Sequence, residues 1–172
     1  SLLFDGSDVG IAKNVNAFYR EDRVGAPDIL YLSFAANHSI PGLGTVTPYD
    51  VVKFTPTSLG DTTAGSVAWY LDGSDVGLST TAERIDALGM DGNRLLISTV
   101  GSGKAPRQGG GSVSFADEDV IAFTPTATGA TTTGAWSAYF DGSTVTGLAV
   151  EAVNGFWDDP TSGDLSISLT NG

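Results

Sequence analysis

Cysteine is absent from the 172 residues, and histidine occurs once, at His38. The first absence excludes disulfides, thiolate metal sites and cysteine nucleophiles. The second excludes any centre built from several imidazoles. Lysine is confined to Lys13, Lys53 and Lys104, and eight basic residues against twenty acidic ones leave a net charge of −12. Such a surface repels nucleic acid and anionic membrane faces, so neither is expected as a partner. No apolar run approaches the roughly 18 residues of a membrane helix, and no membrane span is expected. No targeting segment stands at the start either, because Ser1 opens onto a strand-like run. The expectation is an extracellular, periplasmic or cell-surface chain from which a signal peptide has been removed.

What is present points to strands and tight turns. The acidic residues divide into 16 Asp and 4 Glu, and 23 Gly, 19 Thr and 17 Ser accompany them. Asp favours turns and caps, whereas Glu and Lys fill exposed helix faces. The composition therefore suits many short strands and starves helices. A chain of this length fits one domain or a short run of repeats and can bury roughly 70% of its unfolded surface.

Self-similarity is the strongest signal. The run from Leu3 to Gly10 (Leu-Phe-Asp-Gly-Ser-Asp-Val-Gly) returns as Tyr70 to Gly77 and, weakened, as Tyr139 to Val145. Phe54-Thr55-Pro56-Thr57 returns as Phe123-Thr124-Pro125-Thr126, Asp50 matches Asp119, and Trp69 matches Trp136. A third element, Ile85-Asp86-Ala87-Leu88, has counterparts at Val15 to Phe18 and Val153 to Phe156. The period is 67 to 69 residues. The chain then reads as a single all-β domain, 1–172, of about two and a half repeats. These are a partial strand D in 1–10, full repeats in 11–77 and 78–146, and a half repeat in 147–172.

Each period reads as four antiparallel strands. In the second, strand A covers Ile85 to Met90, and an Asp-Gly turn leads to strand B, Arg94 to Val100. A Gly-rich loop follows from Gly101 to Ser112. Strand C covers Asp119 to Thr124 and is stopped by Pro125, and strand D covers Ala135 to Phe140. Thr80 to Met90 could instead form a short helix through Ala82, Ile85 and Leu88. Leu2 to Phe4 would be an orphan strand D, and Leu165 to Leu169 an unpaired strand B.

The phrases Phe-Asp-Gly-Ser-Asp-Val-Gly, Phe-Thr-Pro-Thr-Ser-Leu-Gly and Ile-Asp-Ala-Leu followed by Asp-Gly-Asn-Arg-Leu-Leu-Ile-Ser-Thr resemble a tandem repeat of large secreted or surface-attached bacterial proteins. The strand–turn–strand piece also resembles blades of β-propellers. The resemblance implies propeller-like four-stranded units and no particular activity. Two features depart from it: Thr144 replaces the second Asp of the loop, and Asp158-Asp159-Pro160 replaces the Asp-Gly turn. The alternative architecture is a sandwich or barrel of about ten strands.

Candidate sites follow from the repeat columns. Asp5 with Asp8, and Asp72 with Asp75, set two carboxylates three residues apart in a tight turn, which suits Ca²⁺. The competing reading is an Asx-turn whose carboxylates cap backbone N–H groups. Asn16, Asp86 and Asn154 form one column on strand A, innermost in a propeller, where they bind a ligand or build a hydrogen-bonding ladder. Trp157 has no repeat partner and is the candidate exposed aromatic, suited to sugars. Asp50 and Asp119 read as polar strand starts facing water, and Trp69 and Trp136 as core. His38 falls in a loop, without the G-x-S-x-G context of a serine nucleophile. Gly101-Ser102-Gly103-Lys104 fails the phosphate-loop pattern. The expected function is a non-enzymatic structural or assembly module that docks a protein partner or a larger assembly, with no cofactor. A carbohydrate- or Ca²⁺-dependent adhesion module is the alternative, and a hydrolase a weaker one.

Overall fold

Each full period folds into one antiparallel sheet. The computed structural model describes residues 2–159 and 161–171. In the first period β1 (Val15–Glu21), β2 (Ile29–Phe34), β3 (His38–Ile40), β4 (Gly44–Val46), β5 (Val51–Ser58) and β6 (Ala64–Leu71) follow in order. The sheet runs β1-β2-β5-β6, and β3–β4 is a separate hairpin inserted between its second and third strands. The second period repeats this plan with β7 (Ile85–Asp91), β8 (Arg94–Thr99), β9 (Gly103–Pro106), β10 (Ser112–Phe115), β11 (Val120–Ala127) and β12 (Thr133–Phe140). Its sheet runs β7-β8-β11-β12, with β9–β10 as the inserted hairpin. The remainder is a two-stranded hairpin, β13 (Glu151–Asp158) with β14 (Leu165–Asn171). The chain is all-β; its helical elements are short 3₁₀ turns, and the described strands close no barrel.

Alternation decides which face each residue takes. Tyr31, Val51 and Leu71 of the first sheet meet Leu88, Leu95, Ile97, Ile121, Phe123 and Trp136 of the second in one core. On the other face of the first sheet, Leu30, Leu32, Phe34, Val52 and Phe54 pack against its own hairpin and Phe4, Val9 and Ile11, while Val15 and Phe18 of β1 are left exposed. Leu96, Val120 and Ala122 turn the other way, onto Val153 and Phe156 of the final hairpin. The sheets therefore stack face to face in chain order, and β7 lies between β1 and β13.

Several expectations are corrected by this geometry. The segment from Gly101 to Ser112 is not an open loop, because Ala105, Val113 and Phe115 make β9 and β10 an apolar hairpin that packs into the core. Pro125 does not end its strand: β8 pairs only with Ile121 to Phe123, so a missing N–H on that side interrupts no ladder further along. Pro56 sits in the same way in β5. Leu2 to Phe4 form no strand and make a single bridge, Phe4 to Gly60. Trp69 and Trp136 are not equivalent. Trp136 lies opposite Phe123, whereas Val67 lies opposite Phe54, so Trp69 stands one pleat repeat further along. The helix considered for Thr80 to Met90 reduces to a turn at Thr81–Glu83, closed by a Thr80–Glu83 capping box, before β7 begins. His38 lies in β3, buried edge-on against Phe34, with Nε2 near the Gly10 carbonyl and the Ala12 N–H.

Candidate functional site

The Asp-Gly-Ser-Asp loops are joints between successive units. Asp5 accepts from the Ser7 N–H and hydroxyl, and its own N–H donates to Thr63 Oγ1 at 2.8 Å. Asp8 accepts from the Thr63 N–H at 2.9 Å, and Thr63 Oγ1 donates to the Gly60 carbonyl. One period later every bond recurs. The Asp72 N–H donates to Thr132 Oγ1, Asp75 accepts from the Thr132 N–H, and Thr132 Oγ1 donates to the Gly129 carbonyl. Each loop thus clasps the turn between the third and fourth strands of the next sheet. The carboxylates serve the backbone, as in the Asx-turn reading. Among the described residues, no group of three or more acidic or imidazole side chains is placed to hold a metal.

Asp50 and Asp119 complete each joint from within the unit. Asp50 is buried, and it accepts from the Thr47 N–H and hydroxyl and from the Gly73 N–H. Asp119 accepts from the Ala116 and Gly142 N–H groups. Neither is a solvent-facing strand start. Burial raises both carboxyls above the ordinary Asp range, against the pull of these hydrogen bonds. A Cβ at Gly73 would meet the Tyr49 carbonyl at 2.2 Å, so the loop glycine permits this close approach.

The ligand candidates share a different feature. Asn16, Asp86 and Asn154 are each the extra residue at a register shift in the first strand of their unit. A bulge re-aims the side chain it carries. All three, with Trp157 and Phe18, line one open groove of about 600 Å³ along β1, β7 and β13. Asn16 spans to the next unit, its Nδ2 donating to the Ile85 carbonyl at 2.7 Å. The corresponding acceptor for Asp86 is the Val153 carbonyl, to which a carboxylate cannot donate. Ser98 intervenes: its Oγ lies 2.7 Å from the Val153 carbonyl and 2.5 Å from Asp86 Oδ1. A hydroxyl has one hydrogen, so it cannot donate to both acceptors. Desolvation, with Asp117 nearby, pushes the Asp86 carboxyl up to about 6. Asn154 is exposed, and its side chain makes no hydrogen bond among the described residues.

Two positions after the bulge, Leu88 and Phe156 face the preceding unit, and three positions after it, Tyr19 and Gly89 face the following one; Phe18 and Trp157 hold the same places in β1 and β13. Leu88 is 4% exposed against the first sheet, and Phe156 packs over Gly89, where a Cβ would stand 2.4 Å from its ring. Phe18 is 60% exposed and Trp157 51%.

The clasping threonines and Ser98 went unrecognised in the sequence. A signal existed for the first two: Thr63 and Thr132 each stand two residues before a glycine, Gly65 and Gly134, at equal places in the repeat. Comparison with family models, curated proteins and solved structures found no match to this chain.

Proposed function

We propose that the chain is a non-enzymatic assembly module, propeller-like in its units, that extends by adding another unit of its own kind to the open face of its first sheet. The observation that carries this reading is Phe18. Its two repeat counterparts are covered by a preceding unit, and it is not. Val15 and Leu3 stand beside it, also exposed, around an apolar hollow of about 220 Å³ that Leu30 and Leu32 floor. Apolar patches of this kind mark interaction surfaces. The Ser/Thr/Asp-rich, cysteine-free composition fits an extracellular or cell-surface setting.

Light scattering across a concentration series tests the reading. The native chain should self-associate, and Phe18→Asp should abolish association. Thr161→Asp, at an exposed residue of the β13–β14 turn, should leave it intact. A native chain that stays monomeric throughout overturns the reading.

The groove favours a second reading, binding of a neutral sugar. Amides and a carboxylate pair with vicinal hydroxyls, and an exposed indole covers a sugar's C–H face. Titration with free glucose, galactose and N-acetylglucosamine, read by tryptophan fluorescence, should give saturation that Trp157→Ala removes. Unchanged fluorescence with all three eliminates this reading.

A further inference from the structure

We infer that Asp86 is a proton-operated latch for the β13–β14 hairpin: protonated, it leaves Ser98 free to hold the Val153 carbonyl, and ionised, it takes the Ser98 hydrogen for itself. The latch governs one wall of the groove, because Asn154 and Trp157 ride on that hairpin.

The two unit boundaries are built alike and differ in one side chain. At the first, Ile85 turns both backbone groups toward the first unit: its N–H donates to the Pro48 carbonyl at 3.0 Å, and its carbonyl accepts from Asn16 Nδ2 at 2.7 Å. At the second, Val153 does the same toward the second unit. Its N–H donates to the Asp117 carbonyl at 2.8 Å, and its carbonyl lies 2.7 Å from Ser98 Oγ. Both units carry the serine, Ser33 opposite Ala17 and Ser98 opposite Ala87. In the first unit the Asn16 amide serves Ile85, and Ser33 donates instead to the Pro48 carbonyl. An amide keeps its hydrogens through neutral pH, so this contact does not titrate. In the second unit a carboxyl stands in the amide's place, and the serine must do the amide's work.

Protonation decides whether it can. A protonated Asp86 donates its O–H to Ser98 Oγ across 2.5 Å, Ser98 donates to Val153, and all three groups are satisfied. An ionised Asp86 draws the Ser98 hydrogen, because a charged acceptor binds it more strongly than a carbonyl does. The Val153 carbonyl then loses this donor. Ser98 is 1% exposed and Val153 0%, so water is shut out of the gap.

Asp117, whose carbonyl receives the Val153 N–H, is the charge set against Asp86; together with desolvation it holds that carboxyl up at about 6. Glu118 and Asp119 follow Asp117 in the same loop. β8, β1 and β13 present Ser98, Asn16 and Asn154, which do not titrate, and Arg20 and Asp22 line the same groove. The latched state holds the proton more tightly than a free Asp does. The latch is therefore closed below about pH 4, is lost as pH rises through about 6, and stays open above. Ionisation loosens the hairpin without releasing it: Val153 and Phe156 remain packed on Leu96, Val120 and Ala122, and Tyr139 still donates to Asp158.

Amide hydrogen exchange at about pH 4.5 and about pH 7.5, corrected for the intrinsic rate at each pH, tests the latch. In the native chain, β13 and β14 amides should lose about tenfold in protection at the higher pH, relative to those of β2 and β5. Asp86→Asn should keep the acid-level protection at both pH values. Ser98→Ala should show the low level at both. Equal losses in the native chain and in Asp86→Asn would assign the effect to another carboxyl and overturn the latch. A loss shared evenly by β2 and β5, or no loss at all, would overturn it as well.

Discussion

Replacing Asp86 by Asn should stabilise the protein at neutral pH. Asp86 Oδ1 and the Val153 carbonyl compete for the single hydroxyl hydrogen of Ser98. In Asp86→Asn the new amide donates to Ser98 Oγ, Ser98 donates to Val153, and every group in the chain is satisfied. The magnitude follows from the titration. A carboxyl moved from 3.8 to about 6 on folding corresponds to about 3 kcal/mol of lost stability once ionised. Partial solvent access at Asp86 reduces the expected gain to about 1–2 kcal/mol. The sign is set by proton binding: the folded state holds this proton more tightly, so its contribution falls as pH rises from about 4 to about 6 and is flat above. Urea unfolding of both proteins across that window measures the difference, in which the other carboxylates cancel. The variant's advantage should be near zero at about pH 4 and full by about pH 7. An advantage that is absent at neutral pH, or that does not change with pH, refutes the account of the Ser98 contact.

The joints and the close-packed glycines give three further tests. Thr132→Val keeps the shape of the clasp but removes the acceptor for the Asp72 N–H and the donor to the Gly129 carbonyl. It should cost about 1–3 kcal/mol in denaturant unfolding, and a neutral result would show that water replaces the clasp. Gly134→Ala places a Cβ 2.4 Å from the Thr124 carbonyl and 2.5 Å from the Phe123 ring. It should cost about 1–3 kcal/mol, while Gly155→Ala, with no atom nearer than 3.5 Å, should be close to neutral. Excess chelator should leave the melting temperature unchanged, since Asp8 and Asp75 are engaged by threonine N–H groups. A lowered melting temperature would return Ca²⁺ to these loops.

The all-β class and the strand plan were legible because their signals are local. Alternation marks β8 and β14, and the Asp91-Gly92-Asn93 turn marks the β7–β8 hairpin. The column of Asn16, Asp86 and Asn154 was legible as a repeat position, and its members do line one groove. That they sit at bulges was not legible, because a one-residue register shift depends on the partner strand. The joints were hidden for a related reason. Thr63 is separated from Asp5 by 58 residues and Thr132 from Asp72 by 60, and nothing in either local sequence names the other. Pro125 misled because proline breaks a ladder only where a ladder exists, and β8 had already ended. The tryptophan alignment failed because the offset is 69 residues throughout this segment, from Phe54 to Phe123 and from Thr63 to Thr132, so the counterpart of Trp136 is Val67 and that of Trp69 is Ala138.

The clasp makes the covalent repeat and the mechanical repeat run out of step. The loop that closes one sheet is finished only when the turn of the next sheet has formed to receive it. The clasp is mutual: Asp72 and Asp75 hold Thr132 and Thr132 holds their loop, so each joint couples the folding of two successive sheets. Among the described residues, the Asp141 and Thr144 side chains bond within their own turn. Opening one joint should therefore loosen both of the sheets it connects.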